Sequence, residues 1–366
     1  MHFICNRNIF LKEITIANEI ISSHNTLSVL SSVLIDAQND ALTIKATDLR
    51  VSFETQIPIT LESPGTATVF CGKFLAILRN LPEGDVFLIK EGGKITIKDR
   101  GDIKFQLNSI AADNFPEIPV SEEKHFFSLP QKEFVYMIGQ TIFAISGDET
   151  RYFMNGVYME PQGDKLVMVA TDGRRLSYVH AVPEGELPDF PGIIIPPKVL
   201  NLVVKLASGE GDINLAVTDR MLFVKFDKQK LTSTLIDGKF PNYSPVIPGN
   251  QDSKFTVNRV EFSDALRRVS LLADQKTKRI LLSLSSGRIV LKSIESEIGE
   301  AEEKINCLYE GSETVFALNY SYLSDPLRVI EQESIIVEFT DSHKAMTLVP
   351  LEESKSFHIV MPMQMQ

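Results

Sequence analysis

Val169-Ala170-Thr171-Asp172-Gly173-Arg174-Arg175-Leu176 is the stretch around which the rest of the chain can be laid out. It follows Lys165-Leu166-Val167-Met168, and the combined run alternates in the manner of a half-buried β-strand. Thr171-Asp172-Gly173 then predicts a turn, because an Asp side chain caps backbone two residues on and Gly accepts a positive φ. Taken alone, the octapeptide reads as a strand, a hairpin turn and two solvated arginines. Copies of it change that reading. Ala41-Leu42-Thr43-Ile44-Lys45-Ala46-Thr47-Asp48-Leu49-Arg50 repeats the strand and its Ala-Thr-Asp ending 124 positions upstream.

Other landmarks keep nearly the same interval. Phe115-Pro116 returns as Phe240-Pro241, and the helical segment at 73–78 returns at 198–203 and, more loosely, at 321–326. Phe10, Phe134 and Phe262 each stand early in an amphipathic segment. Unrelated landmarks at one spacing predict a threefold internal repeat of about 125 residues. The expected domains are 1–120, 127–245 and 253–366, separated by Pro-bearing linkers. At 366 residues the chain is too long for one ordinary core, so three units also suit its size.

Each unit is expected to hold two helices and many short antiparallel strands, an α+β arrangement. Helices are predicted over 9–22, 73–81, 131–145, 197–207, 259–273 and 320–332; Pro326 in the last would suit a first turn but not a helix middle. Residues 28–35 are expected to be a strand. No apolar run approaches a membrane span and the first residues show no signal-peptide pattern. Cys5, Cys71 and Cys307 are odd in number and far apart, which predicts small buried thiols in a reducing cytoplasm.

The net charge of −11 argues against a nucleic-acid partner unless charge is segregated. It is segregated on the expected second helix of each unit. Lys198, Asn201 and Lys205 share a face, as do Lys73, Ala76 and Asn80 with Arg79 beside them, and Ser321, Ser324 and Arg328. These faces hold no Asp or Glu, which gather instead in turns and linkers.

The chain resembles the bacterial DNA polymerase III β subunit, the β sliding clamp, over essentially its full length. The matching stretches include Leu81-Pro82-Glu83-Gly84, Phe115-Pro116, Arg151-Tyr152-Phe153-Met154-Asn155-Gly156, the octapeptide at 169–176, Gly238-Lys239-Phe240-Pro241-Asn242-Tyr243 and Val360-Met361-Pro362-Met363. The resemblance implies three repeated DNA-clamp domains, each two helices on antiparallel sheets, closing as a head-to-tail homodimeric ring in the cytoplasm. It implies a processivity factor that encircles duplex DNA and slides without sequence specificity. Sparse Lys and Arg suit that task, because phosphate contacts carry no sequence information. The residues implied to face DNA are His24, Lys73, Arg79, Lys198, Lys205 and Arg328, with a further loop at Gly147-Asp148.

The same resemblance implies a pocket for short peptides of the replicative polymerase α subunit, the clamp loader and repair proteins. Carried over position by position, it comprises Met154, Thr171, Gly173, Arg174, Arg175, Leu176, Pro241, Val246, Tyr320, His343, Ala345, Ile359, Met361, Pro362 and Met363. A thioether-rich wall of this kind adapts to several sequences. The tail departs from the family's usual ending, since Gln364-Met365-Gln366 is uncharged. Ring closure would bring Phe105 and Leu107 of one copy against Leu271 and Leu272 of the other.

An enzyme is disfavoured on motif grounds. The six histidines lack metal-ligand spacing, and no phosphate-binding glycine loop, nucleophile elbow or His-Glu-x-x-His is present in the sequence. Asp172 beside Arg174 and Arg175 could be drawn as a hydrolase site, yet no second acid or nucleophile recurs near it. No cofactor or metal is therefore expected. A monomeric three-domain scaffold for peptides is the remaining alternative, and it differs from a clamp in mass.

Overall fold

The computed structural model describes residues 1–21, 28–293, 299–351 and 354–364. His24 and the end of the tail, Met365-Gln366, lie outside them. Six helices are described: α1 (Arg7–Ile20), α2 (Cys71–Asn80), α3 (Gln131–Thr141), α4 (Pro197–Leu206), α5 (Arg259–Val269) and α6 (Tyr320–Val329). The expected strand at 28–35 is corrected: a 3₁₀ turn, Ser28–Ser31, precedes a strand at Ser32–Gln38. The helix expected around Pro326 is present as α6, and it carries the proline beyond its first turn, where tolerance was not expected. It forfeits one backbone bond, but Leu323, Pro326 and Leu327 are all buried, and that burial outweighs the loss.

The backbone is organised in two compact units, Met1–Gln131 with Lys198–Leu235, and Lys132–Pro197 with Ile236–Gln366. The boundary cuts through the second sequence repeat, and the sheets explain why. In the first unit an eight-stranded antiparallel sheet takes four strands from the second repeat and four from the first. They meet where Gln229–Thr234 pairs with Val51–Pro58, with Leu231 opposite Phe53. In the second unit the sheet takes four strands from the second repeat and four from the third. These meet where Arg175–Ala181 pairs with Ser356–Val360, with Tyr178 opposite Phe357.

Each unit carries a smaller sheet as well. The first has five strands and ends on Lys104–Asn108; the second has four and ends on Glu302–Asn306. Alternation supplies the cores: Leu42, Ile44 and Ala46 point inward with no exposure, and Phe10, Phe134 and Phe262 are likewise fully buried. Phe10 meets Phe74 edge to face at 5.2 Å, which fixes α1 on α2.

The repeat is also visible in how helix ends are tied. Arg7, opening α1, donates from Nε to Leu78 O at 2.7 Å and from Nη2 to Arg79 O at 2.7 Å, capping α2. Arg259, opening α5, does the same past the end of α6, from Nη1 to Leu327 O at 3.1 Å and from Nε to Gln332 O at 2.9 Å. A cation there satisfies orphan carbonyls and opposes the helix dipole. At the equivalent position Gln131 is neutral and accepts from Gly209 N at 3.2 Å beyond α4.

His358 is buried between Ser177 Oγ on Nδ1 and Gln140 Oε1 on Nε2, both at 3.1 Å. The Gln140 amide donates to Val329 O at 2.7 Å, so its oxygen faces the ring and Nε2 carries the proton. Burial pushes the imidazole pKa down to about 3. The unfolded chain would take up that proton near pH 6.5, so stability rises with pH between about 3 and 6.5 and is lost below. Replacing His358 with Gln should therefore shrink the fall in unfolding free energy between pH 6 and pH 5 by about 1 kcal/mol, read from urea midpoints.

Candidate functional site

The octapeptide at 169–176 forms the hairpin that its sequence predicts. Asp172 Oδ1 accepts from the N–H of Arg174 at 2.9 Å and of Arg175 at 3.1 Å, and Thr171 Oγ1 donates to Arg175 O at 2.6 Å. The copy in the first repeat is built alike, with Asp48 Oδ1 accepting from Arg50 N at 2.9 Å and Val51 N at 2.7 Å. The third position of the turn has positive φ in both, 86° at Gly173 and 73° at Leu49. Glycine takes that conformation freely, whereas Leu49 is held there by the turn's hydrogen bonds.

Each turn is then locked to a helix, with the charges reversed. Asp48 Oδ2 accepts from Lys198 Nζ of α4 at 2.6 Å, and the same ammonium reaches Ile20 O at 2.7 Å. Burial would raise the Asp48 pKa, but the Lys198 bond and the two backbone donors outweigh it and hold the carboxyl below its usual range. In the second turn the cation is on the hairpin. Arg175 pairs with Asp172 at 3.1 Å and with Asp325 of α6 at 2.6 Å, and donates to Phe143 O at 2.5 Å. Its guanidinium lies 4.8 Å from the Tyr322 ring centre. The solvated reading of Arg175 is thereby corrected; Arg174 does stay exposed.

Beside this hairpin is an apolar cavity of about 120 Å³, close to the roughly 150 Å³ that accommodates a benzene-sized guest. Its floor is Leu176, Ile359 and Met154, none more than 5% exposed. Its rim is Arg174, Pro241, Val246 and Met361. Thr171, Gly173 and Arg175 complete the wall, so ten of the fifteen expected pocket residues line one hollow. Tyr320, His343, Ala345, Pro362 and Met363 do not line it. Ala345 packs on the cluster behind the floor, and Tyr320 packs on the core around α5 and α6. Met363 instead donates to Ala317 O at 2.8 Å, and His343 N donates to Asp341 Oδ1 at 2.9 Å.

Asn242 and Tyr243 also line the cavity and were not in the expected set. They stand within the stretch 238–243 already quoted for the resemblance, so its apolar pattern was the available signal. Tyr243 is 6% exposed, and its hydroxyl donates to Glu160 Oε1 at 2.5 Å while accepting from Gln162 Nε2 at 2.7 Å. Burial and the bond to Glu160 raise its pKa, so it stays a protonated donor. The loop that forms the rim is thus pinned to the sheet.

The expected DNA-facing cations are in mixed states. Lys73 and Arg79 are exposed, but Lys205 pairs with Glu19, and Arg328 pairs with Asp325 at 3.3 Å. Charge on these helix faces is offset by acids from other elements, Asp48 and Glu19, and by Asp325 within α6. The loop at Gly147-Asp148 leads into a 3₁₀ turn in which Asp148 accepts from Thr150 N at 3.0 Å and from Arg151 Nε at 3.0 Å. Phe105 and Leu107 are half-buried on the edge strand Lys104–Asn108, and Leu271 is 74% exposed beside half-buried Leu272. Arg175→Met should lower unfolding stability by roughly 3 kcal/mol, because it strands two partly buried carboxylates. Arg175→Lys should fall between that variant and the parent in urea denaturation, since it keeps charge but loses the forked geometry.

Comparisons with known proteins agree along the whole chain. Models of the DNA polymerase III beta subunit match in order: the N-terminal domain over 1–119, the central domain over 128–242 and the C-terminal domain over 244–364. The chain is 42% identical over 370 residues to the beta sliding clamp of Treponema pallidum and 30% identical over 368 residues to that of Pseudomonas aeruginosa, with 100% of each chain covered. The crystal structure of the DNA polymerase III subunit beta from P. aeruginosa matches with a TM-score of 0.94 at 29% identity, and that of the Bacillus subtilis sliding clamp with 0.95 at 27%, again over 100% of both chains. A sliding clamp from Bartonella birtlesii, solved bound to griselimycin, matches with 0.94 at 29% over 100% of both chains. A hairpin repeated with its helix lock, sheets shared between repeats and a match that runs from end to end all lead to one conclusion: the chain belongs to the bacterial DNA polymerase III β subunit family, the β sliding clamps.

Proposed function

We infer that this protein works as a head-to-tail homodimer that encircles duplex DNA, three domains at about 1–120, 127–245 and 253–366 coming from each copy. The observation that carries this reading is the sharing of sheets. In each shared sheet the last strand of one repeat, Gln229–Thr234 or Ser356–Val360, pairs with the third strand of the preceding repeat's meander, Val51–Pro58 or Arg175–Ala181. By that rule Lys104–Asn108, the last strand of the first repeat, calls for Glu302–Asn306, which ends the corresponding meander of the third. Both are sheet edges, and a second copy would cover each of them. Phe105, Leu107, Leu271 and Leu272 would line that seam, and Lys104 would meet a strand that opens on Glu302-Glu303.

Within such a ring the protein is a non-catalytic accessory subunit that keeps the replicative polymerase on its template in the cytoplasm. Retention comes from enclosure, so the DNA contacts are best kept weak. Lys73 and Arg79 supply exposed charge, while the ion-paired Lys198, Lys205 and Arg328 give a softened field over which phosphates pass freely. The apolar cavity at Leu176, Ile359 and Met361 takes a short apolar peptide from the polymerase α subunit, the clamp loader or repair proteins. Buried apolar anchors carry most of the energy in docking of this kind.

The protein is expected to sediment as a dimer, to remain on nicked circular DNA and to fall off once that DNA is cut. Leu107→Lys should yield monomers and abolish retention; a monomer in the parent protein, or equal retention on linear DNA, would overturn the ring. Val246→Glu with Met361→Ala changes only exposed rim residues and should cut polymerase stimulation at least tenfold while leaving the dimer mass unchanged. Undiminished stimulation would remove the cavity from partner docking.

A further inference from the structure

A second hollow, of about 360 Å³, adjoins the first on the same sheet, and Tyr243 lines both. Its walls are unlike those of the apolar cavity. Tyr178 and Phe357, opposite each other across the strand pair, stack at 4.7 Å with their planes 12° apart. Both rings are half-buried, and Ile247 adds an aliphatic flank. Lys165 and Lys355 stand exposed at its borders, and among the described residues no carboxylate lines it. Lys355 Nζ does reach Glu133 Oε1 at 2.8 Å outside the hollow, and Glu160 is turned toward the Tyr243 hydroxyl. On a chain of net charge −11 the described walls make a cationic, aromatic recess that neighbours the apolar cavity across Tyr243.

We propose that this recess is an extension of the peptide site, taking an acidic segment with an aromatic residue that flanks the apolar anchor in the same partner polypeptide. The inference rests on the docking reading above and adds a determinant of partner choice to it. The apolar cavity would hold any short greasy peptide. The recess separates partners by what lies next to the anchor, through the lysines for carboxylates and the stacked rings for an aromatic side chain. The chain crosses between the two over the 3₁₀ turn Ser244–Val246, whose position Tyr243 fixes.

The test uses full-length protein and a fluorescein-labelled apolar pentapeptide rich in Leu and Phe, alone or extended at either end by Asp-Glu-Tyr-Asp, in fluorescence anisotropy. One of the two extensions should lower Kd about tenfold. Lys165→Glu with Lys355→Glu should erase that gain while the unextended peptide keeps its Kd within twofold. Both are surface positions, and the Lys355–Glu133 pair that is lost is an exposed one of small worth, so the fold is kept and an unchanged urea midpoint within experimental error checks it. Binding of the pentapeptide with no gain from either extension, or a gain that survives the double variant, would overturn the recess and leave the cavity standing. A pentapeptide that Met361→Ala with Val246→Glu does not affect would overturn both. If the double variant weakens binding of a single-stranded oligonucleotide and not of the extended peptide, the recess is a nucleic-acid surface and the proposal fails.

Discussion

Strand pairing across the boundaries between repeats is the constraint on which everything else in this protein depends. Each repeat lends strands to a sheet it shares with another: Leu231 lies opposite Phe53, and Tyr178 opposite Phe357, each time joining strands more than 170 positions apart. A three-stranded meander with one apolar face is a poor independent structure, and its free edge invites unwanted pairing. Joining two such meanders, each with a fourth strand on its far side, into one eight-stranded sheet covers one free edge of each and gives each compact unit a core larger than either repeat could build. The apolar cavity owes its existence to the same joint, because Leu176 and Ile359 of its floor are partners across it.

The charged locks on the hairpin turns reinforce these joints from the side. Asp48 with Lys198, and Arg175 with Asp325, do one job with opposite polarity, so the repeat has preserved an ion pair and not a residue type. Their mechanical role also moderates the surface field. Lysines that could grip a phosphate are partly committed to carboxylates, and attraction to a polyanion is lowered accordingly. An acidic chain can then hold a duplex loosely without repelling it outright.

Much of this was legible in the sequence because it is local. The Thr-Asp turn, the alternating strands and the amphipathic helices each announce themselves within ten residues, and a fixed interval between copies gives the repeat. What stayed hidden depends on partners far along the chain. Nothing near Lys198 points to Asp48, and nothing near Arg175 points to Asp325, 150 positions away in each case. Pro326 misleads for a related reason, since its burial is set by neighbours the helix acquires only on folding. At the cavity, the resemblance supplied Leu176, Ile359 and Met154, while Tyr243, although inside the matching stretch 238–243, is tied into the wall by Glu160, a partner far along the chain.

The double duty of the cavity wall bears on how the protein could evade a small molecule lodged there. Leu176 and Ile359 belong to the sheet joint and Arg175 to the ion-pair lock, so resistance by substitution at those positions would unravel the second unit. Substitutions that spare the fold are confined to the exposed residues around the opening, Arg174, Asn242, Val246 and Met361. Those are also the positions proposed above to meet partner peptides, so on that reading a change that sheds the small molecule would weaken partner docking with it.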